Sequence, residues 1–311
     1  MRRTSKSHQI LGSLGLTGAA LIWGLSFVVV KDSADAVPVL YLVALRYLLA
    51  EFAMGVLFFK KLKGLTKEAV RQGMVLGFFL CAGQFFQTLG CKYTTAGKNA
   101  FLTTTYVILV PFLCWWLEKE KPKKAQIFAA LAALAGIALL SLEGSLRIQT
   151  GDFLTLVCGG MLAFHILFID RYTGKTDPIL LTLLQFFFAG IYSWGMIGAT
   201  GIPFPVQIWE RELLLNLLYI GVGSTMLGFL LQIVCQKYTN PNVAAVLLSL
   251  ESVFGMLFSV LFLHEVVTWR IFTGCVCMLA AVLLSEIKNK QDKIRNIDDN
   301  RRNGFSAHGN L

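Results

Sequence analysis

"QTLGCKYT" (87–94) and "QIVCQKYT" (232–239) lie 145 residues apart and open a common register. The register runs on without a gap, with ten identities over 53 positions. Ala100 falls over Ala245, Leu102 over Leu247 and Glu120 over Glu265, and Leu134, Ala135 and Leu139 fall over Leu279, Ala280 and Leu284. Apolar drift alone rarely matches both a KYT run and a loop glutamate, so the chain reads as two copies of one unit. Outward from this register, each copy holds five apolar segments. They run near 10–30, 37–59, 72–90, 100–117 and 125–142, then near 153–169, 178–200, 213–235, 243–263 and 271–286. Most are long enough to cross about 30 Å of hydrocarbon as helices. Five crossings, being odd, invert the second copy relative to the first. The expected fold is all-α integral membrane, with ten transmembrane helices as two inverted five-helix repeats. Residues 1–9 form a cytoplasmic N-terminus, 10–142 and 143–286 the two repeats, and 287–311 a basic cytoplasmic tail expected to be disordered.

Composition agrees. Hydrophobic residues make up 56% of the 311 and charged residues only 15%, against about 25% charged in soluble domains. The net charge of +10 does not point to nucleic acid, because of where the cations fall. With both termini inside, 21 of the 28 Lys and Arg lie in inner segments and six in outer loops; Arg46 alone is inside a span. That asymmetry is the positive-inside signature. The basic tail reads chiefly as a topology anchor, with contact to anionic lipid as the alternative. The seven cysteines lie in or beside apolar runs, with no CxxC pair and no metal spacing, so they read as small apolar residues. No cleavable signal peptide is expected, because the first apolar run lacks a small-residue cleavage site and continues into "KDSADAVP". Pro38, Pro178 and Pro241 stand at segment starts, where a missing amide proton costs little. Pro111, inside segment four, predicts a kink or a locally opened backbone.

The polar residues inside spans are few, and each needs a partner or a cavity. Segment three carries Gly77, Leu80, Gln84 and Gln87 at helical spacing, and segment eight carries Gly221, Thr225, Gly228 and Gln232. The glycines read first as packing positions; the amides can equally line a cavity. Asn99, Thr103 and Tyr106 form one polar face of segment four, and Glu251 occupies the position of Tyr106 in the second copy. The two lie at comparable depths from opposite membrane faces, so repeat symmetry brings both near the midplane. Arg46 requires pairing; Glu51, Glu251 and carbonyls are the candidates, with a structural role favoured. His165 can relay protons or simply hydrogen-bond to a neighbouring helix. Trp23, one turn from the repeat mate of His165, walls a cavity or packs. The aromatic runs "FFQ" (85–87) and "QFFFAG" (185–190) read as lipid-facing bulk and interface anchors.

These residues carry a family resemblance. "ALIWGLSFVVVKDS" (20–33), "LRYLLAEFAMG" (45–55), "GKNAFLTTTYVILVPFLCWWLEKEKP" (97–122) and "LESVFGMLFSVLFLHEVVTW" (250–269) resemble the EamA-like branch of the drug/metabolite transporter superfamily across residues 10–286. The resemblance implies a ten-helix, two-repeat carrier of small metabolites. Its members often have Pro after the ninth-helix Glu. Here Ser252 follows Glu251, which argues against a kink there.

No GxSxG, HExxH or P-loop is present, so no catalytic residue, cofactor or metal is expected. Uphill movement would have to draw on a gradient. The leading expectation is a secondary active transporter, an exporter or exchanger, of a small polar metabolite such as an amino acid or amine. It would sit in a bacterial plasma membrane, with protons the candidate coupling ion and Glu251 the candidate coupling residue. Its cavity would be built from Trp23, Gln84, Gln87, Asn99, Thr103, Tyr106, His165, Thr225, Gln232 and Glu251. The alternatives are a non-transporting membrane subunit or receptor and a membrane-embedded transferase. The latter needs convergent acid–base groups, but His264 and Glu265 form an isolated loop pair. The basic asymmetry makes a prediction: protease added to right-side-out membranes spares the tail. Cleavage near Lys290 from the outside would contradict the topology.

Overall fold

The protein is described by a computed structural model covering residues 6–119, 121–122, 124–141, 148–239, 241–277 and 279–280. Every regular element among these residues is helical. The long helices are α1 (Lys6–Ala36), α2 (Val39–Phe58), α3 (Lys67–Tyr93), α6 (Lys124–Ser141), α7 (Thr150–Thr173) and α8 (Pro178–Thr200). The remaining spans are composite. Helices α4 (Ala96–Thr103) and α5 (Tyr106–Glu118) make one. The helices α9 (Arg211–Leu218) and α10 (Gly228–Gln236) make another, joined by a π-helical stretch, Tyr219–Leu227. A third consists of α11 (Pro241–Leu248) and α12 (Leu250–Leu263). Eight spans among the described residues are long and apolar enough to cross a membrane. The fifth expected segment is helical as α6. The tenth begins as helix at 269–277, and its remainder, like the basic tail and Glu120, lies outside the described residues.

The starts of these helices follow from side chains that accept their free amide protons. Thr66 Oγ1 accepts from Ala69 N at 3.1 Å to open α3. Thr95 Oγ1 accepts from Lys98 N at 3.2 Å to open α4. Asp177 Oδ1 accepts from Ile179 N and Leu180 N to open α8, with Pro178 in the first turn as its missing N–H allows.

Packing sets these helices around one centre. Helix α3 lies against α7 and α8, α1 against α12 and α10, and α4 against α12. Small residues permit the close crossings. A methyl group on Gly24 of α1 would fall 2.3 Å from Phe254 Cβ of α12. The apolar core includes Phe186, 0% exposed, which corrects its reading as lipid-facing; Phe187 beside it does face outward. Pro178 and Pro241 begin α8 and α11, and Pro38 caps α2.

Charge ties helix ends together. Lys98 of α4 and Asp152 of α7 form a fully buried ion pair at 3.3 Å, and Thr94 Oγ1 donates to Asp152 Oδ1 at 2.9 Å. The bond from Thr94 helps the Asp152 carboxylate tolerate burial beside its counter-ion. Glu265, which reads from sequence as an isolated loop residue, grips the start of α4 instead. Its two carboxylate oxygens accept from Ala96 N at 2.7 Å and Gly97 N at 3.1 Å. A carboxylate at a helix N-terminus satisfies orphan amides and opposes the positive end of the helix dipole. The second half thus holds the first by its fourth span. Glu265→Ala is expected to cost about 1–2 kcal/mol of folded-state stability, read as a lower melting temperature in detergent, and Glu265→Gln less. An unchanged melt for Glu265→Ala would contradict this role.

Candidate functional site

Two spans break at equivalent places. Span four turns at Thr104–Thr105 and span nine at Ser249; Thr104 and Ser249 are 145 residues apart, the repeat register. At both breaks the backbone bonds shorten by one residue: Thr105 N donates to Leu102 O, Val107 N to Thr104 O, and Ser252 N to Ser249 O. Hydroxyls also bond to the carbonyls at both breaks. Thr104 Oγ1 donates to Phe101 O, Thr105 Oγ1 to Leu102 O, Ser249 Oγ to Val246 O and Ser252 Oγ to Ser249 O, all at 2.6–2.7 Å. Hydroxyl back-bonding of this kind bends helices and replaces water inside a bilayer. Two expectations are corrected here. The opening in span four lies upstream of Pro111, and span nine breaks without a proline because serines do the work.

Two residues after each break stand Tyr106 and Glu251. Tyr106 Oη donates to Glu251 Oε1 at 2.9 Å, so the repeat mates are in direct contact. Both line a central cavity of about 30 Å³, room for a few waters at most. Trp23, Ser26, Arg46, Gln84, Gln87, His165, Ser224, Phe229 and Gln232 also line it.

Arg46 projects from α2 into this space. Its Nε donates to Thr225 Oγ1 at 2.8 Å, its Nη1 to Gln84 Oε1 and its Nη2 to Ser224 Oγ at 3.5 Å. All three acceptors are neutral, so neither Glu51 nor Glu251 serves as its counter-ion. The π-helical stretch makes two of these contacts possible. Thr225 Oγ1 donates five residues back to Ile220 O at 2.7 Å, and the wider turn presents Ser224 and Thr225 side by side; π-bulges recur at functional sites. Trp23 Nε1 donates to Ser224 O at 2.9 Å, and its ring meets Phe229 at 4.7 Å. Gly228 leaves room for that indole: a Cβ there would lie 2.4 Å from Trp23 Nε1.

Opposite this cationic side are acceptors. His165 Nε2 meets Gln185 Oε1 at 2.9 Å. An amide oxygen accepts, so Nε2 carries the proton and Nδ1 is a bare acceptor. Among the described residues, His165 Nδ1 and Gln232 Oε1 are both buried without a hydrogen-bond partner.

Eight of the residues singled out from sequence therefore meet in one place: Trp23, Arg46, Gln84, Gln87, Tyr106, His165, Gln232 and Glu251. Three stand behind the wall. Asn99 Nδ2 donates to Thr155 Oγ1 and Gln87 O, Thr103 Oγ1 accepts from Gln87 Nε2 at 3.4 Å, and Thr225 holds Arg46. They position the lining rather than form it. Sequence reasoning passed over Ser26, Ser224 and Gln185. Ser26 follows Trp23 by three residues, one helical turn, and that spacing was the available signal.

Residues 10–142 and 149–287 each match the EamA-like transporter family. The chain belongs to that family. It is a transporter, not an enzyme. An uncharacterized transporter of Archaeoglobus fulgidus is 32% identical, over 90% of this chain and 87% of the relative. The uncharacterized transporter YetK of Bacillus subtilis is 25% identical, over 89% and 87%. A probable amino-acid metabolite efflux pump of Salmonella typhimurium is 24% identical, over 85% and 91%. One crystal structure superposes with a TM-score of 0.66 at 17% identity, covering 91% of this transporter and 99% of that chain; the likeness is one of fold.

The Tyr106–Glu251 contact makes a prediction for the transporter. Tyr106→Phe leaves a buried carboxylate oxygen without its donor and is expected to cost about 1–3 kcal/mol. Combining it with Glu251→Leu is expected to cost less than the sum of the two single changes, by at least about 0.5 kcal/mol. Additive effects in a double-mutant cycle of detergent melts would contradict the contact.

Proposed function

We propose that this transporter moves a zwitterionic metabolite of the amino-acid class by secondary export or exchange, with alternating access at the central cavity. The carrying observation is Arg46, a buried guanidinium met, among the described residues, only by neutral acceptors. A buried cation without a counter-ion favours an anionic ligand group, and a carboxylate matches the planar guanidinium fork. The same cavity is lined by Glu251, with one oxygen held by Tyr106, and by His165 and Gln232, whose Nδ1 and Oε1 have no hydrogen-bond partner among the described residues. Acceptors in that number suit an ammonium group. The name of the Salmonella relative supports the same class.

The cavity of about 30 Å³ is too small for an amino acid. Loading therefore requires helix movement, and the broken spans at Thr104 and Ser249 are natural hinges. The full architecture we propose is ten spans in two inverted repeats with both termini inside. Glu251 exchanges a proton for the ligand's ammonium group: each species satisfies the carboxylate, and an unpaired charge there is costly. His165, Arg46 and Tyr106 are the other titratable groups lining this space.

Proteoliposomes containing only this protein test the reading. The expected result is uptake of an amino acid but not of its methyl ester, accelerated by a pH gradient. Glu251→Gln keeps the shape and hydrogen bonds but cannot ionise. It is expected to exchange ligand down its gradient while losing pH-driven accumulation. Full pH-driven uptake by Glu251→Gln would remove the coupling role. Equal transport of acid and ester would remove the pairing of carboxylate with Arg46.

A further inference from the structure

Away from the central cavity, two larger recesses open at the basic end of the bundle. Each is about 360 Å³, and they share Lys175 in the turn between α7 and α8. Arg71 of α3 and Arg171 of α7 line the first; Lys60 and Lys61 line the second. Two acids also border them, but both are committed. Asp177 caps α8 and pairs with Lys61 at 3.0 Å. Burial pushes its carboxyl up, but the Lys61 ammonium and the Leu180 and Ile179 amides outweigh that and hold it below its ordinary range. Glu68 Oε1 accepts from Gln72 Nε2 at 3.0 Å, and Gln72 Oε1 accepts from Thr176 Oγ1 at 2.7 Å. That chain pins the turn bearing Lys175 against α3. Arg71, Arg171 and Lys175 make no ion pair or side-chain hydrogen bond among the described residues.

A second feature adjoins the recess. From Tyr172, at its rim, a ladder of half-buried rings descends along the α3–α7 seam toward the middle of the bilayer. Tyr172 stacks on Phe168 with centroids 5.5 Å apart, Phe168 on Phe79 at 5.4 Å and Phe79 on Phe164 at 5.2 Å. Beside the second recess, the 3₁₀ turn Phe59–Gly64 interleaves exposed Phe59 and Leu62 with Lys60, Lys61 and Lys63. That is the pattern of a segment lying in a membrane interface.

We infer that this face is a binding site for an anionic phospholipid. The headgroup phosphate sits among Arg71, Arg171 and Lys175, and an acyl chain runs down the ring ladder. A solvated topology anchor would explain the cations alone. It would not explain their placement around a recess whose lining residue Tyr172 begins a ladder of stacked rings. Basic pockets between spans hold anionic headgroups in this way.

The test uses the full-length protein in detergent, where both ends are accessible, so it does not depend on membrane orientation or on transport. Native mass spectrometry measures retained phosphatidylglycerol against phosphatidylcholine. Preferential retention of phosphatidylglycerol is expected, and Arg71→Gln/Arg171→Gln is expected to weaken it about tenfold or more, from the loss of two surface cations. Lys92→Gln, in the last turn of α3 and so at the opposite end of that helix from Arg71, leaves retention unchanged. Phe168→Ser weakens retention of a long-chain lipid more than that of a short-chain one. Melting curves check that each variant is folded. Equal retention of the two lipids, or undiminished retention by the double Arg variant, overturns the site. So does displacement of the lipid by an equal concentration of glycerol phosphate, which would mean that a free anion is the ligand.

Discussion

Hydrocarbon offers no hydrogen bonds. A backbone amide or carbonyl freed inside a bilayer must find a partner within the protein or cost several kcal/mol. The architecture of this transporter is arranged around that constraint. Continuous helices satisfy it automatically, which is why most of the chain is helix. Where spans four and nine break, at Thr104–Thr105 and Ser249, shortened backbone bonds and hydroxyls one turn away serve the carbonyls there. The π-helical stretch of 219–227 obeys the same rule, with Thr225 returning its hydroxyl to Ile220 O. Irregular backbone is permitted at these three places, and all three adjoin the central cavity.

The second consequence concerns charge. A carboxylate and a guanidinium at mid-depth are each costly, yet here they are not paired with each other. Glu251 is held by the phenol of its own repeat mate, and Arg46 by an amide and two hydroxyls. Neutral partners hold both groups in position without pairing one to the other. At the ends of α4 and α7 the logic reverses. Lys98 and Asp152 neutralise each other, and Glu265 neutralises a helix terminus. Such satisfied contacts hold elements together and have little charge left to offer.

The repeat was legible because it is a linear property: a gapless register carries the pairing of Tyr106 with Glu251 into three dimensions by symmetry alone. The apolar segments were legible because the bilayer imposes one length on every span. The helix breaks were misjudged because proline was the signal sought. Serine and threonine open a helix by back-bonding, and in a threonine-rich run such as "TTTY" nothing in sequence separates that use from a polar face. Asn99 and Thr103 were assigned to a cavity for the same reason, since periodicity gives a face but not what the face meets.

The sequence by itself determined that this chain crosses a membrane many times, that it does so as two related halves, and that it carries charges in its spans that demand a partner. Those facts follow from hydropathy, periodicity and register, which need no neighbours. Only the tertiary structure decided which partners answer those charges: Arg46 with Gln84, Ser224 and Thr225 rather than a carboxylate, Glu265 with the amides of α4 rather than solvent, and Thr103 and Asn99 behind the wall. The physical reason is that a hydrogen bond depends on position and direction within a few tenths of an ångström. Residues 179 apart, like Arg46 and Thr225, acquire that relation only when α2 and the π-helical stretch Tyr219–Leu227 are packed side by side.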